Sequence, residues 1–456
     1  MKKRIGCLLI FLGIFFFTEN YTFAREIVII FSGEEFGNLE PCGCFEGQHG
    51  GISKRYSFID LFKNQKNTIL PVSLGDLPKG CNRQDEIKME ILYRAMGQMG
   101  YVLHNLGEKD IEINPQILSY LSQTSKVNFL SSNVEIVSSF PIKIDKSIIT
   151  ESFDFEHPVK IAFLGILSKT FLSSYVSGYV NISDPIKALR PLVKQLRDKV
   201  NLIVLLSHAS REESMEIAKC FPEIGLIITG HNMDEPKDTI SYVNNSPVVS
   251  SGMNGKYIGI ARYSINNKTA NKGLERKSVE VVSLDDTYQD SKEMIALLKE
   301  YQQILLDEDL ARKIPRAPLS NGLAYVGSFV CGMCHKAIYD HWYKTTHSTS
   351  YRTLVSSGHQ LDPECIKCHT TGYGDVSGFL DHEKDQNLIH VGCESCHDAG
   401  SKHIKGVNDA YGQTDESKCA VCHDSAHSPK FQFREYWKKI EHPEEMTKKL
   451  PKNIEN

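Results

Sequence analysis

The sequence predicts an α/β domain followed by a mainly α domain, and three observations carry that prediction. From Glu26 to about Leu284, short Val- and Ile-rich runs alternate with longer amphipathic stretches. Pro315, Pro318 and Gly322 then interrupt the chain. Beyond residue 325 strand-like runs are scarce, and 12 of the 17 histidines gather there.

The chain has 456 residues, which suits two or three domains. Lys2, Lys3 and Arg4 precede an apolar stretch, Ile5–Phe17, that is shorter than the roughly 20 residues a membrane helix needs. Thr22-Phe23-Ala24 supplies a small-residue cleavage pattern, so residues 1–24 read as a signal peptide and the mature chain starts near Arg25. The expected location is periplasmic or otherwise exported, with no integral membrane span after cleavage. A net charge of -4, from 52 basic and 56 acidic residues, gives no reason to expect nucleic acid as a partner.

Within the first domain, residues 25–285, the apolar runs are Ile27–Phe31, Ile69–Leu74, Val127–Leu130, Val159–Leu167, Leu202–Leu206, Leu226–Ile228 and Val248–Val249. Runs this short, closed by Gly, Ser or Asn, read as buried strands. Asp85–Met99 and Pro185–Lys199 read as the helices between them, and the alternation is that of an α/β domain. Met294, Leu297, Leu298, Tyr301 and Leu305 have helical spacing. Residues 286–325 therefore form a connecting helix and linker, and the second domain covers 326–456.

That second domain holds Cys331-Gly332-Met333-Cys334-His335, Cys365-Ile366-Lys367-Cys368-His369, Cys393-Glu394-Ser395-Cys396-His397 and Cys419-Ala420-Val421-Cys422-His423. Each is a CXXCH site. Two cysteine sulfurs bond the two vinyl groups of a haem, and the adjacent histidine becomes the proximal ligand of its iron. Zinc or a structural disulfide would explain a lone CXXC, but not four copies each followed by His. The implied cofactors are four covalently bound haem c groups, which also supply the apolar bulk this segment lacks. His341, His347, His359, His382, His390, His403, His427 and His442 are the available distal ligands.

The segment Cys331–Leu354, with Cys365–Gly374, Val391–His403 and the fourth site, resembles the tetrahaem cytochromes that accept electrons from hydroxylamine oxidoreductase. The resemblance covers about residues 326–443. It implies that His347 and His403 are distal ligands; His442, after the helical Phe433–Trp437, ranks third. One haem of that family's prototype lacks a distal protein ligand.

In the first domain, Ser32–Asn38, Gly75-Asp76, Asn105–Asp110, Ser207-His208 and Gly230–Met233 stand at the carboxyl ends of strands, where α/β sites form. Their order resembles the calcineurin-like metallophosphoesterases, particularly the exported 5′-nucleotidases, as does Gly37–Arg55. That resemblance implies an α/β/β/α sandwich and a two-metal site. The pattern is broken: Glu34 and Phe36 replace an Asp and a His, Glu108 and Lys109 replace the metal-binding Asn and the catalytic His, and Met233 replaces a second His. Asp76, Glu108, His208 and His231 still form a set for one divalent metal such as Zn, Mn or Fe. The alternative is that they are inherited remnants satisfied by hydrogen bonds. Cys42, Cys44, Cys81 and Cys220 read either as disulfide partners or as a thiolate site.

The leading expectation is a periplasmic tetrahaem electron carrier whose degenerate first domain binds a partner or ligand. Its partners would be periplasmic redox proteins, and self-association through haem edges is compatible with the design. Two enzymatic alternatives stand beside it. One is a multihaem oxidoreductase acting on a small nitrogen or sulfur compound at an open haem. The other is a metal-dependent phosphoesterase fused to a cytochrome.

Overall fold

In the computed structural model the described residues are 25–41, 49–63, 65, 67–153, 155, 158–173, 178–231, 235–236, 240–265, 274–406, 411–424, 427–428, 430–443 and 446. The leader, Cys42, Cys44 and Met233 lie outside them.

Two six-stranded sheets form the first part of the chain. In spatial order one is Leu274–Ser283, Tyr257–Ile265, Glu26–Ser32, Thr68–Ser73, Leu103–Asn105 and Asn128–Leu130. The other is Ser241–Val243, Ser246–Val249, Leu226–Gly230, Leu202–His208, Val159–Leu167 and Ile148–Ser152. Strand Glu26–Ser32 runs parallel to Thr68–Ser73 and antiparallel to Tyr257–Ile265.

The alternation of side chains along each strand explains the layers. Ile27, Ile29 and Phe31 point between the sheets, against Ile161, Phe163, Val204 and Leu206. Val28 and Ile30 point the other way, into a core made with helices Ile52–Lys63, Arg83–Met99 and Lys292–Asp307. Leu164, Ile166 and Leu205 pack against helices Pro185–Leu196 and Arg211–Cys220. The result is the α/β/β/α sandwich that the motifs imply.

Helix Arg83–Met99 is capped at both ends. Asn82 and Asp85 form a capping box, and Gly100 closes the other end at φ 87°, in the left-handed region that suits glycine. Helix Lys292–Asp307 buries Met294, Leu297, Leu298, Tyr301 and Leu305 in the same core, so it belongs to the sandwich as much as to the connection.

The second part consists of short helices and loops. Among the described residues its buried apolar cluster is Ala311, Tyr351, Leu354, Ile366, Phe379 and Leu388, with Tyr325, Cys365, Tyr373 and Ile389 packed against it, a small core for a segment of this length. The buried Glu394 carboxylate organises the backbone, accepting from the N–H groups of Val326, Gly327 and Gly400. Among the described residues, no helix is long and apolar enough to cross a membrane.

Candidate functional site

Asp76, Glu108, His208 and His231 come from four different strand ends and converge, with one ligand atom from each lying within 4.8 Å of the others. Asp76, Glu108 and His208 are buried, and His231 is partly exposed. Glu108 links the two rings: its Oε2 lies 2.8 Å from His208 Nε2 and its Oε1 2.9 Å from His231 Nε2. His208 Nδ1 faces the Leu74 carbonyl at 3.3 Å. With Nδ1 turned to that carbonyl, Nε2 is the atom that faces the cluster; it donates to Glu108 here and would become a metal donor on losing that proton.

Asp110 positions this centre without joining it. Its carboxylate accepts from the backbone N–H groups of Asp76 and Gly107 at 2.8 Å each and of Leu77 at 3.0 Å. His104 Nε2 stands 3.0 Å from the same carboxylate, and His104 Nδ1 is 2.9 Å from Ser73 Oγ. The Lys109 N–H in turn donates to Asp76 Oδ1 at 2.9 Å. Backbone strain gathers at the same place: Glu34, Phe36, Asp76 and His231 have φ of 54°, 46°, 57° and 121°. Non-glycine residues are held in such conformations only where the surrounding structure fixes them, commonly at functional sites.

The electrostatics favour a cation. Burial pushes the Asp76 carboxyl up to about 6 and that of Glu34 up to about 7, against the opposing pull of His208. Burial also works against a charged Glu108, but the hydrogen bonds from His208 and His231 outweigh it and hold that carboxyl well below the usual range. His208 behaves oppositely: burial disfavours its charge, and Asp76 and Glu108 together raise its pKa well above the ordinary value.

Three features bear on hydrolysis. Lys109 Nζ turns to Glu112, 3.1 Å away, rather than into the cluster. Phe36 contributes no donor atom. Phe171 stacks on His231 with ring centres 3.4 Å apart and planes within 7°. A buried donor set under an aromatic lid can hold an ion more readily than it can admit a phosphoester. Sequence reasoning gave no signal for Phe171 and did not single out His104 or Asp110 as positioning groups. Cys81 and Cys220 are exposed thiols, free of disulfide partners among the described residues.

In the second part, each CXXCH site begins on a short helix: Ser328–Cys334, Pro363–His369, Cys393–His397 and Glu416–Ala420. Three of the four proximal histidines face another histidine. His335 and His403 have ring centres 6.1 Å apart with planes within 16°; His397 and His442 are 6.1 Å apart and within 30°; His347 and His423 are 6.3 Å apart and tilted by 47°. Two metal–imidazole bonds of roughly 2 Å each, plus the ring radii, span about that distance. Those pairs fit a haem iron between them. His369 faces no second histidine ring among the described residues; its Nδ1 lies 2.8 Å from the Ser350 carbonyl. His397 Nδ1 lies 2.7 Å from the Gly412 carbonyl, so in both residues Nε2 is left for iron. Burial lowers the pKa of His335, His347, His423 and His442, favouring the neutral imidazole that ligation requires.

Three of the other histidines bond elsewhere. His359 meets Glu40, His390 Nδ1 accepts from the Tyr351 N–H, and His427 bonds Asp424. His341 stands edge-on to His442 at 6.0 Å. The cysteines show which sites adjoin: Cys393 acts on the Cys331 thiol, and Cys422 Sγ lies 3.9 Å from the Cys368 carbonyl.

Comparison with known proteins shows what each part is similar to. The family described as cytochrome c554 and c-prime matches residues 330–398. Cytochrome c-554 of Nitrosomonas europaea is 30% identical over 107 residues, 20% of this chain and 45% of that protein. A 5′-nucleotidase of Vibrio cholerae is 22% identical over 293 residues, 54% of this chain and 50% of that one. The chain joins a 5′-nucleotidase-like domain to a cytochrome c554-like one. The NAD nucleotidase of Haemophilus influenzae superposes with a TM-score of 0.53 at 18% identity, covering 67% of this chain and 64% of its own, which shows the fold of the 5′-nucleotidase-like domain. The chain spans about half the length of the curated relatives it matches. Covalently bound haem c follows from the cytochrome c554-like part.

Proposed function

We propose that this chain is an exported tetrahaem electron carrier, exchanging electrons with periplasmic redox proteins, whose 5′-nucleotidase-like domain holds one metal ion and performs no hydrolysis. The observation that carries the reading is the set of three histidine pairs. His335 with His403, His397 with His442 and His423 with His347 each stand at the spacing of two axial ligands. Two axial imidazoles give a low-spin haem that changes charge with little rearrangement, which suits outer-sphere transfer. The nearness of the cysteines of the first and third sites, and of the second and fourth, supports haems close enough to pass electrons along. The haem supplies the redox chemistry. The protein sets ligands, burial and hydrogen bonds around it.

A second reading rests on His369. Its haem would carry one histidine and leave a face for a small nitrogen or sulfur compound, making this site an oxidoreductase centre. Haem quantification with electron paramagnetic resonance of the oxidised holoprotein tests both readings. Four haems per chain with three low-spin centres and one high-spin centre support the carrier with an open second haem. Four low-spin centres remove the second reading, and fewer than four haems overturn the first.

A further inference from the structure

Asp362 caps helix Pro363–His369, which carries the second CXXCH site, and its Oδ1 accepts from the Glu364 N–H at 2.9 Å. The other partners of this carboxylate come from two helices packed in the sandwich, Arg83–Met99 and Lys292–Asp307. Gln84 Nε2 donates to Asp362 Oδ1 at 2.7 Å, and Tyr301 Oη donates to Oδ2 at 3.0 Å. Gln84 also donates to Tyr301 Oη at 2.8 Å, so the two side chains grip the carboxylate together. All three residues are buried, Asp362 to 5% exposure. Three donors satisfy it there, as a buried carboxylate requires.

Lys88, one turn beyond Gln84 on the same helix, brings the opposite charge. It is 7% exposed, and its Nζ lies 2.6 Å from Glu364 Oε2. Burial disfavours the ammonium, but Glu364 and Asp362 hold its pKa above the ordinary value. Cys365 registers these charges. Burial is the main cause that raises its thiol pKa; Asp362 comes next, Lys88 opposes, and Glu364 and Glu40 add to the rise. Glu364 is half exposed, so water screens it, whereas Asp362 and Lys88 act through protein.

Reduction of a haem adds one electron from a redox partner to the iron, with no bond made or broken. A fixed negative charge nearby favours the ferric form, and a positive charge the ferrous form. We propose that the 5′-nucleotidase-like domain sets the reduction potential of the haem attached at Cys365 and Cys368: Gln84 and Tyr301 hold the Asp362 carboxylate out of water beside Cys365, and Lys88 offsets it. The first domain thereby takes part in electron transfer without hydrolysing anything. This rests on the tetrahaem reading.

The test is a potentiometric titration of the full holoprotein, each haem followed by paramagnetic resonance and visible absorption, with haem content measured on the same sample. Asp362→Asn removes the charge and keeps the helix cap, since asparagine caps as well as aspartate. One of the four midpoint potentials should rise, its reduction equilibrium shifting about threefold or more toward the ferrous form; tenfold corresponds to about 59 mV for one electron. Lys88→Met should lower the same potential. A merely structural role predicts otherwise: a loosened contact admits water, which favours the more charged ferric form and lowers that potential in both variants. Potentials unmoved in both variants, shifted in the same direction, or shifted at two different haems would overturn the proposal. A wild-type chain with fewer than four haems overturns the tetrahaem reading instead. The proposal falls with it only if mass spectrometry of the digested protein finds no haem on the peptide holding Cys365 and Cys368.

Discussion

Lys88 Nζ lies 2.6 Å from Glu364 Oε2, so a helix of the 5′-nucleotidase-like domain reaches the residue adjoining Cys365 of the second CXXCH site. The contact is reinforced beside it: Gln84 Nε2 donates to Asp362 Oδ1 at 2.7 Å, and Tyr301 Oη donates to Asp362 Oδ2 at 3.0 Å. The two parts therefore meet beside the second CXXCH site through specific polar bonds.

The two members of the pair differ in exposure, and this predicts unequal mutations. The Lys88 side chain is 9% exposed and that of Glu364 is 47% exposed. Glu364→Gln leaves a buried ammonium without its nearest counter-charge, costing about 1–3 kcal/mol. Lys88→Met leaves only a hydrated carboxylate, costing under about 1 kcal/mol. Denaturant unfolding of the holoprotein measures both; the reverse order would contradict the pair's assigned role.

His359 and Glu40 form a second bridge between the parts and make the contact sensitive to pH. The hydrogen bond that His359 donates to Glu40 is the main cause that raises the His359 pKa above its ordinary value; burial opposes it, and Asp362 and the Ser357 backbone assist. The folded pKa lies above the unfolded one, so this stabilisation is complete below the unfolded value and is lost as pH rises through the folded one. Proteolysis between the two parts should therefore accelerate as pH rises above the ordinary imidazole value of about 6.5. Glu40→Gln should remove most of that pH dependence; an equally steep profile in the variant would assign it to another group.

The sequence reading reaches furthest where burial is continuous. Val159–Leu167 is a central strand with both faces covered, and its apolar run coincides with the element. Leu274–Ser283 gave no such run, because its polar residues alternate along a sheet edge. Strand Leu103–Asn105 was invisible for a different reason: it is fully buried, yet two of its three residues are polar, with His104 held by Ser73 and Asp110 and the Asn105 Nδ2 donating to the Leu74 and Ile166 carbonyls. The order of strand-end motifs was legible for Asp76, Glu108, His208 and His231. Glu34 was legible only as a departure from a motif, since its aim toward the cluster depends on the strained turn at φ 54°. Phe171 sits in a one-turn 3-10 helix with no pattern to announce it.

The histidine pairs predict which substitutions alter haem spin. His403→Ala, His442→Ala and His347→Ala should each convert one low-spin haem to high spin, since each removes the ring facing a proximal histidine. His427→Ala should change nothing, because its ring is bonded to Asp424. Paramagnetic resonance of the four variants reads this directly. A new high-spin signal in His427→Ala, or none in His442→Ala, would break the assignment; the latter outcome would bring forward His341, which faces His442.

Two glycines should respond in opposite directions to the same added methyl group. At Gly107 a Cβ would lie 2.1 Å from Asp76 Oδ1 and 2.8 Å from the Asp76 backbone nitrogen, so Asp76 must move. Gly107→Ala should cost about 1–3 kcal/mol and abolish Mn²⁺ binding, because the displaced carboxylate is a proposed donor. At Gly97, inside helix Arg83–Met99, a Cβ meets nothing within 4 Å. Gly97→Ala should stabilise by about 0.5–1 kcal/mol and leave Mn²⁺ binding intact, since alanine loses less backbone entropy on entering a helix. Haem content should stay constant in both, separating damage at the strand-end cluster from damage to the cytochrome c554-like part. Normal Mn²⁺ binding in Gly107→Ala would show that Asp76 is not held where its close approach to this glycine places it.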